Sequence, residues 1–304
     1  MSAFASVKRR IDTWSHNRLC KAILKTPPIT PKDDGLVLFS MMGTAVLLPY
    51  LVAVKSLHHQ LQRGRIMILD DGTLTSADKA VLAHHCGNPT VVSINDVETA
   101  PCPKDGCWER LLSILALRAT DYVIQLDSDA VTIGPVPAVV AAIDRNRSFS
   151  LSGGATEAPL GFLPVPDFAK MFRPNGPEDG HVQDVIESRL AGLADAVQRR
   201  YARACAGFAG FSRGGPGVDA AQDFSLIGEG LAGRRWVEWG TEQITSNYVI
   251  ANEPGSTLLR YDHYMNYWAE PWGEDTRFVH FVGSHRFDNG AYAAATRQAI
   301  TALG

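Results

Sequence analysis

Two aspartates one residue apart, Asp127 and Asp129, stand directly after the apolar run Tyr122–Leu126. A run of that kind reads as a buried strand, and open α/β sheets bind ligands beyond the carboxyl ends of their strands. An Asp-x-Asp pair on such a turn aims hard oxygen ligands at one divalent cation. A cation held there would neutralise a departing diphosphate, the charge that develops when a sugar–diphosphate bond breaks. Ser128 lies between the carboxylates and is a candidate contact to the same ligand. His280, in Phe-Val-His-Phe-Val-Gly-Ser-His-Arg-Phe, supplies an imidazole that suits manganese beside carboxylates. Arg286, six residues on, offers a planar guanidinium matched to phosphate oxygens.

These residues need a scaffold, and the spacing supplies one. Leu36–Phe39, Arg65–Leu69, Thr90–Ile94 and Tyr122–Leu126 read as strands. Helical spacing over Leu47–Leu61, a helix capped by Ser76, and Trp108–Leu117 separate them. Strand and helix alternating at this pace predict right-handed βαβ units and a mostly parallel sheet flanked by helices. Beyond a helix at Val139–Ile143 and a strand at Phe149–Leu151 the pattern loosens, and Pro159 to Pro177 reads as loop. Asp179 to Arg203 carries one apolar stripe and predicts a single long helix. Phe208–Ser212 and Phe278–Val282 read as strands, Glu242–Ile250 and Tyr292–Leu303 as helices. Gly207 and Gly210 would let backbone approach a ligand.

The bulk properties narrow the class. At 304 residues, 45% apolar and 20% charged, the chain suits one large α/β domain. We divide it into a basic N-terminal extension, residues 1–35, and one domain over 36–304. The latter splits into a nucleotide-binding half (36–140) and an irregular acceptor half (141–304). A formal charge of −3 argues against a nucleic-acid binder. Five scattered cysteines read as free thiols of a cytoplasmic protein. Leu36 to Val54 holds no charge over 19 residues, long enough to cross a bilayer. Ser40, Gly43, Thr44 and Pro49 interrupt it, so strand, turn and helix explain it better. In residues 1–25, Lys8, Arg9, Arg10, Arg18, Lys21 and Lys25 interleave with Phe4, Val7, Ile11, Trp14, Leu19 and Ile23. That segment is either a surface helix packed on the domain or a peripheral membrane contact.

The order of motifs resembles the GT-A glycosyltransferases. Asp70-Asp71-Gly72 follows a second strand, Leu-Asp-Ser-Asp a later one, and then come Glu242-Gln243 and His280-x-x-Gly283-x-x-Arg286. Over about residues 36–290 the chain is most similar to the retaining enzymes of glycosyltransferase family eight, the glycogenin and bacterial galactosyltransferase type. The resemblance implies a GT-A-like sheet, a manganese (or magnesium) ion on Asp127, Asp129 and His280, and a nucleotide-sugar donor, UDP-sugar favoured. It also implies a glycan or small hydroxyl acceptor. Arg286 stands where the family usually has Lys, and Glu242, Gln243 and Asn247 stand at its Asp-Gln-Asn group near the reacting sugar. Ser40-Met41-Met42-Gly43 replaces the family's Asp-x-x-Tyr, making Ser40 and Gly43, with Asp71 and Gly283, candidate donor contacts. Arg110 is a candidate phosphate contact. Glu242 or Gln243 would shield an oxocarbenium-like centre in a retaining reaction, or Glu242 would deprotonate the acceptor in an inverting one.

Two other readings remain. Asp127-Ser128-Asp129-Ala130-Val131 fits the nucleophile motif of haloacid-dehalogenase-like phosphatases, although three strands precede it here. A degenerate transferase that binds a partner or glycan without turnover is the non-enzymatic option.

Overall fold

The computed structural model describes residues 3–171 and 180–304. In chain order the first elements are α1 (Ala3–Cys20), β1 (Leu36–Met42), α2 (Leu47–Leu61), β2 (Arg65–Asp70), α3 (Ser76–His85) and β3 (Thr90–Ser93). Next come α4 (Trp108–Leu117), β4 (Tyr122–Leu126), β5 (Ala130–Thr132), α5 (Pro137–Asp144), β6 (Phe149–Ser152), β7 (Leu163–Pro164) and α6 (Val165–Ala169). Then follow α7 (Val182–Arg189), β8 (Arg200–Tyr201), β9 (Ala204–Phe211), α8 (Val218–Ala232) and α9 (Thr241–Ala251). Last are β10 (Thr257–Leu258), β11 (Tyr264–Tyr267), β12 (Phe278–Phe281) and α10 (Ala291–Ala302). The strands form a seven-stranded sheet in the order β10-β6-β9-β4-β1-β2-β3, a three-stranded sheet β11-β12-β5, and the pair β7-β8. Parallel pairing of β1 with β2, β2 with β3 and β10 with β6, set against the antiparallel β6–β9, makes the large sheet the mostly parallel one that the alternation predicts. By packing, the chain divides into two compact units: residues 1–93, 126–140 and 261–304 form one, and 94–125 with 141–260 form the other.

In the first unit the charge-free run Leu36 to Val54 becomes β1 followed by α2. α2 is buried nearly all round, including Tyr50, Leu51, Val54 and Leu57, which is the signature of a core helix. No helix among the described residues is long and apolar enough to cross a membrane. The cap of α3 is Thr75 rather than Ser76: Thr75 Oγ1 accepts from the Asp78 amide and Asp78 accepts in return from the Thr75 amide, a reciprocal box.

α1 lies on this unit through His16 and Cys20, both buried. The His16 ring stacks on Tyr292 with centroids 3.7 Å apart, and its Nε2 meets Thr296 Oγ1 at 3.0 Å. Burial, reinforced by the Arg286 charge, pulls the His16 pKa down to about 4. Its folded pKa therefore lies below its unfolded value near 6.5, so the unfolded chain binds the extra proton and stability is lost as pH falls from 6.5 towards 4. The urea midpoint of the wild type should drop over that window more steeply than that of His16→Phe, which keeps the stack and cannot titrate. Parallel curves for the two proteins would refute this.

The second unit departs from sequence expectation at three places. The predicted helix to Arg203 ends at Arg189, and its start at Asp179 lies outside the described residues, as does most of the end of the proline-rich loop. The cause is Glu187, which is fully buried. Burial raises its pKa against the pull of Arg203. Its carboxylate accepts from Gln183 Nε2 (2.8 Å), Tyr201 Oη (3.0 Å) and Arg203 Nε (2.7 Å). In one continuous helix residues 187 and 203 would be about 24 Å apart, so the chain turns back to bring the guanidinium to the buried acid. α8 was not predicted at all, because Gly228 and Gly230 dilute its pattern. Gly228 is there for the Trp236 ring, which a Cβ would approach to 2.3 Å. Gly210 likewise makes room for the Phe149 ring rather than for a ligand, a Cβ falling 2.3 Å from it.

Candidate metal and donor site

The three-stranded sheet brings the predicted ligands together. Asp127-Ser128-Asp129 is the link between β4 and β5, and β5 pairs antiparallel with β12 so that Ala130 faces His280. The Phe281 amide donates to the Asp129 carbonyl at 2.9 Å, locking the turn to β12. His280 Nε2 then lies 3.1 Å from Asp129 Oδ1 and 3.8 Å from Asp127 Oδ2. One ligand atom from each of the three side chains falls within 4.8 Å of the others. Asp129 and His280 are buried and Asp127 is half-buried.

The tautomer of His280 carries the fit. β11 pairs parallel with β12 and sets Asn266 beside His280. Asn266 Oδ1 lies 2.7 Å from Nδ1 and accepts its proton, which leaves Nε2 directed at the two carboxylates. Nε2 facing two acceptor oxygens is at rest either protonated, as an imidazolium paired with Asp129, or with its lone pair on a divalent cation among the three side chains, and the donor set suits such a metal. Asn266 escaped sequence reasoning; a lone amide in the buried strand Tyr-Met-Asn-Tyr was the available signal. Replacing it by Ala should weaken manganese affinity about 10- to 100-fold with the fold intact. Isothermal titration with Mn2+ checks this, and an unchanged affinity would show that the ring needs no such partner.

Arg286 reaches the same place. Its guanidinium pairs with Asp129 Oδ2, and its Nε donates to the Phe281 carbonyl at 3.2 Å. Burial alone would raise the Asp129 carboxyl, but His280 and Arg286 outweigh it and hold the group below the usual carboxylate range. Ser128 is half-buried, and its carbonyl accepts from Tyr292 Oη at 3.4 Å. Gly283 begins the turn between β12 and Arg286 at φ +38, with open space where a Cβ would stand.

A second cluster in the same unit surrounds Asp71. Its Oδ1 accepts from the Thr73 amide (3.0 Å) and hydroxyl (2.6 Å), while Gly72 turns the chain at φ +92. A Cβ on Gly43 would fall 2.1 Å from Asp71 Oδ1, so only glycine admits that carboxylate. The Ser40 hydroxyl, by contrast, is buried and donates to the Leu126 carbonyl at 2.7 Å, which ties β1 to the strand that ends at Asp127.

The remaining candidates belong to the second unit. Arg110 and Glu242 are both buried and form an ion pair at 3.1 Å. Gln243 is half-buried; its Oε1 accepts from the Ala206 amide (3.1 Å) and its Nε2 donates to Gln183 Oε1 (3.2 Å). Asn247 donates to the Ala204 carbonyl. Of the aromatics between 236 and 272, Trp236, Tyr264 and Tyr267 are core, whereas Trp239 and Trp268 are exposed.

No family model matches the sequence, and no curated protein matches it. Similarity to solved structures is clear in shape. The bifunctional glycosyltransferase WbbM, in its apo form, superposes with a TM-score of 0.52 at 14% identity, over 91% of this chain. This chain spans about half of that protein, 51% of its length. An active-site mutant of LgtC superposes with a TM-score of 0.51 at 14% identity, over 88% of this chain and 95% of that one. At such identity it is the architecture that is shared. The mostly parallel sheet, its flanking helices and these likenesses together give the chain the GT-A glycosyltransferase fold.

Proposed function

We propose that the protein is a metal-dependent glycosyltransferase that takes a sugar from a nucleotide-sugar donor and passes it to a hydroxyl acceptor. The observation that carries this is His280 Nε2, oriented by Asn266 and directed at Asp127 and Asp129. Manganese or magnesium held by those three residues supplies Lewis-acid stabilisation of the diphosphate leaving group. Arg286 keeps Asp129 ionised and stands ready to share its guanidinium with phosphate oxygens. Gly43 and the Asp71 turn give the nucleoside a carboxylate acceptor, and Gly283 leaves backbone room beside Arg286.

We assign the polar group beside the reacting sugar to Gln243. Glu242 is 2% exposed and paired with Arg110, so serving as a base would mean breaking a buried ion pair. With no side chain assigned as base, we read the reaction as retaining, the acceptor hydroxyl's proton passing to the oxygen of the departing diphosphate on the same face of the sugar. A UDP-sugar is the favoured donor, and Trp239 or Trp268 offers a face for the acceptor sugar. The state of the five cysteines, none in a disulfide, supports a reducing, cytoplasmic setting.

A thermal-shift screen of UDP, GDP, CMP and their sugars, with and without Mn2+, tests the proposal. One nucleotide should stabilise the protein only with metal, by roughly 2.7 kcal/mol at a hundred times its dissociation constant. No shift with any nucleotide under any metal would sink it and return the phosphatase and binding-module readings.

A further inference from the structure

α1 presents an apolar stripe that nothing among the described residues covers. Val7, Ile11 and Trp14 recur at four- and three-residue spacing, so they share one face, within an arc of roughly 60°. They are 55%, 60% and 63% exposed. The residues that fasten α1 to its unit, His16 and Cys20, lie roughly opposite on the helix. The stripe is therefore not the back of a packed helix but a second, outward face.

Charge says what covers it. Residues 7–25 hold six basic residues and one acid, Asp12, in a chain whose formal charge is −3. Asp12 is spent on Lys8 at 3.0 Å. Arg10, Arg18 and Lys21 are exposed and fall on the same side of the helix as the stripe. Arg18 lies over the Trp14 ring, 5.7 Å from its centroid, beside the apolar face rather than away from it. An apolar stripe with an indole, bordered by cations and set on a helix anchored from behind, matches an anionic bilayer surface. There the stripe enters the headgroup–acyl boundary and the cations meet lipid phosphates.

We infer that α1 is an interfacial helix that docks the protein on anionic lipid through Val7, Ile11 and Trp14. The reading is independent of the catalytic one, since binding is read without metal or nucleotide.

Co-sedimentation of the full chain with vesicles tests it. Phosphatidylcholine–phosphatidylglycerol vesicles should carry the protein down, and phosphatidylcholine alone should carry far less. The double variant Ile11→Ser/Trp14→Ser should lose at least about 10-fold in vesicle affinity. The triple variant Arg10→Gln/Arg18→Gln/Lys21→Gln should lose roughly 100-fold, with a weaker salt dependence. All these side chains are exposed, so melting temperatures should match the wild type. Failure to bind anionic vesicles at low salt would overturn the inference. So would unchanged binding by the Ile11/Trp14 variant, which would place the contact elsewhere. Self-association that depends on the same residues in a protein indifferent to lipid would overturn it too, and make the stripe an interface between copies.

Discussion

Asp129→Asn should abolish metal-dependent stabilisation by nucleotide and lower donor hydrolysis at least about 1000-fold. Asp129 does three jobs at once: its carboxylate meets His280 Nε2 and receives the Arg286 guanidinium, and its backbone carbonyl accepts from the Phe281 amide of β12. The amide leaves the backbone bond in place and removes the charge. Several kcal/mol of leaving-group stabilisation depend on the metal, and each ~1.4 kcal/mol is a factor of ten in rate. Thermal stability without ligand should fall, because the ionised carboxylate is held by His280 and Arg286 and the amide leaves that guanidinium without its charged partner. The measurement is paired: melting with and without Mn2+ and nucleotide, and donor hydrolysis at saturating metal. A variant that still shows the metal-dependent shift would remove Asp129 from the site. His280→Ala should match it, whereas Asn266→Ala should fall between the two and the wild type and recover at high manganese, which separates positioning from ligation.

The largest expected effect on stability lies in the second unit, at Arg118. Arg118 is completely buried and all five of its guanidinium hydrogens have acceptors nearby. Nε donates to the Ser212 carbonyl at 2.8 Å. The two terminal nitrogens meet the Glu253 carboxylate at 2.6 Å each, and further bonds run to Ser148, the Ser212 hydroxyl and the Pro216 carbonyl. The fit is close enough that a Cβ on Gly215 would fall 1.9 Å from the guanidinium. Arg118→Met strands Glu253 inside the unit and should cost about 3–5 kcal/mol. At about 2 °C per kcal/mol for a chain of this size, the melting temperature should drop by roughly 6–10 °C. Adding Glu253→Leu should recover part of the loss, since the cost is the uncompensated charge more than the missing pair. A loss below about 1 kcal/mol in the single variant would mean that water reaches Glu253.

Much of the candidate metal site was legible because its signals are local. Asp127 and Asp129 sit two residues apart at the end of five apolar residues, and both the strand and the turn can be read in one short window. β1, β2, β4, α2 and α4 were legible for the same reason, their periodicity being complete within each segment. What sequence could not show depends on pairing across the chain. Asn266 matters only because β11 runs beside β12, and Glu242 is buried only because Arg110 meets it. Arg118 directly follows α4, and nothing near it in sequence marks Glu253, 135 residues on, as its partner. The break after Arg189 is the clearest case: Val182, Val185, Ile186 and Leu190 make a true helical stripe, and the stripe's continuation was an accident of composition. Val197, which would have lain on it, is 78% exposed. Local periodicity was overruled there by one buried acid and the arginine it needs.

The three-stranded sheet also limits how this chain can change in length. Asn266 and His280 sit opposite one another, and His280 opposite Ala130, in a single frame shared by β11, β12 and β5. Side chains alternate along a strand, so adding or deleting one residue within 264–267 would turn Asn266 to the other face, and within 278–281 the imidazole. The 269–275 connection lies outside that ladder, which Arg277 still joins through His263 and Ile133. Insertions and deletions can accumulate there between related chains, while the two short strands on either side of it are held to the residue.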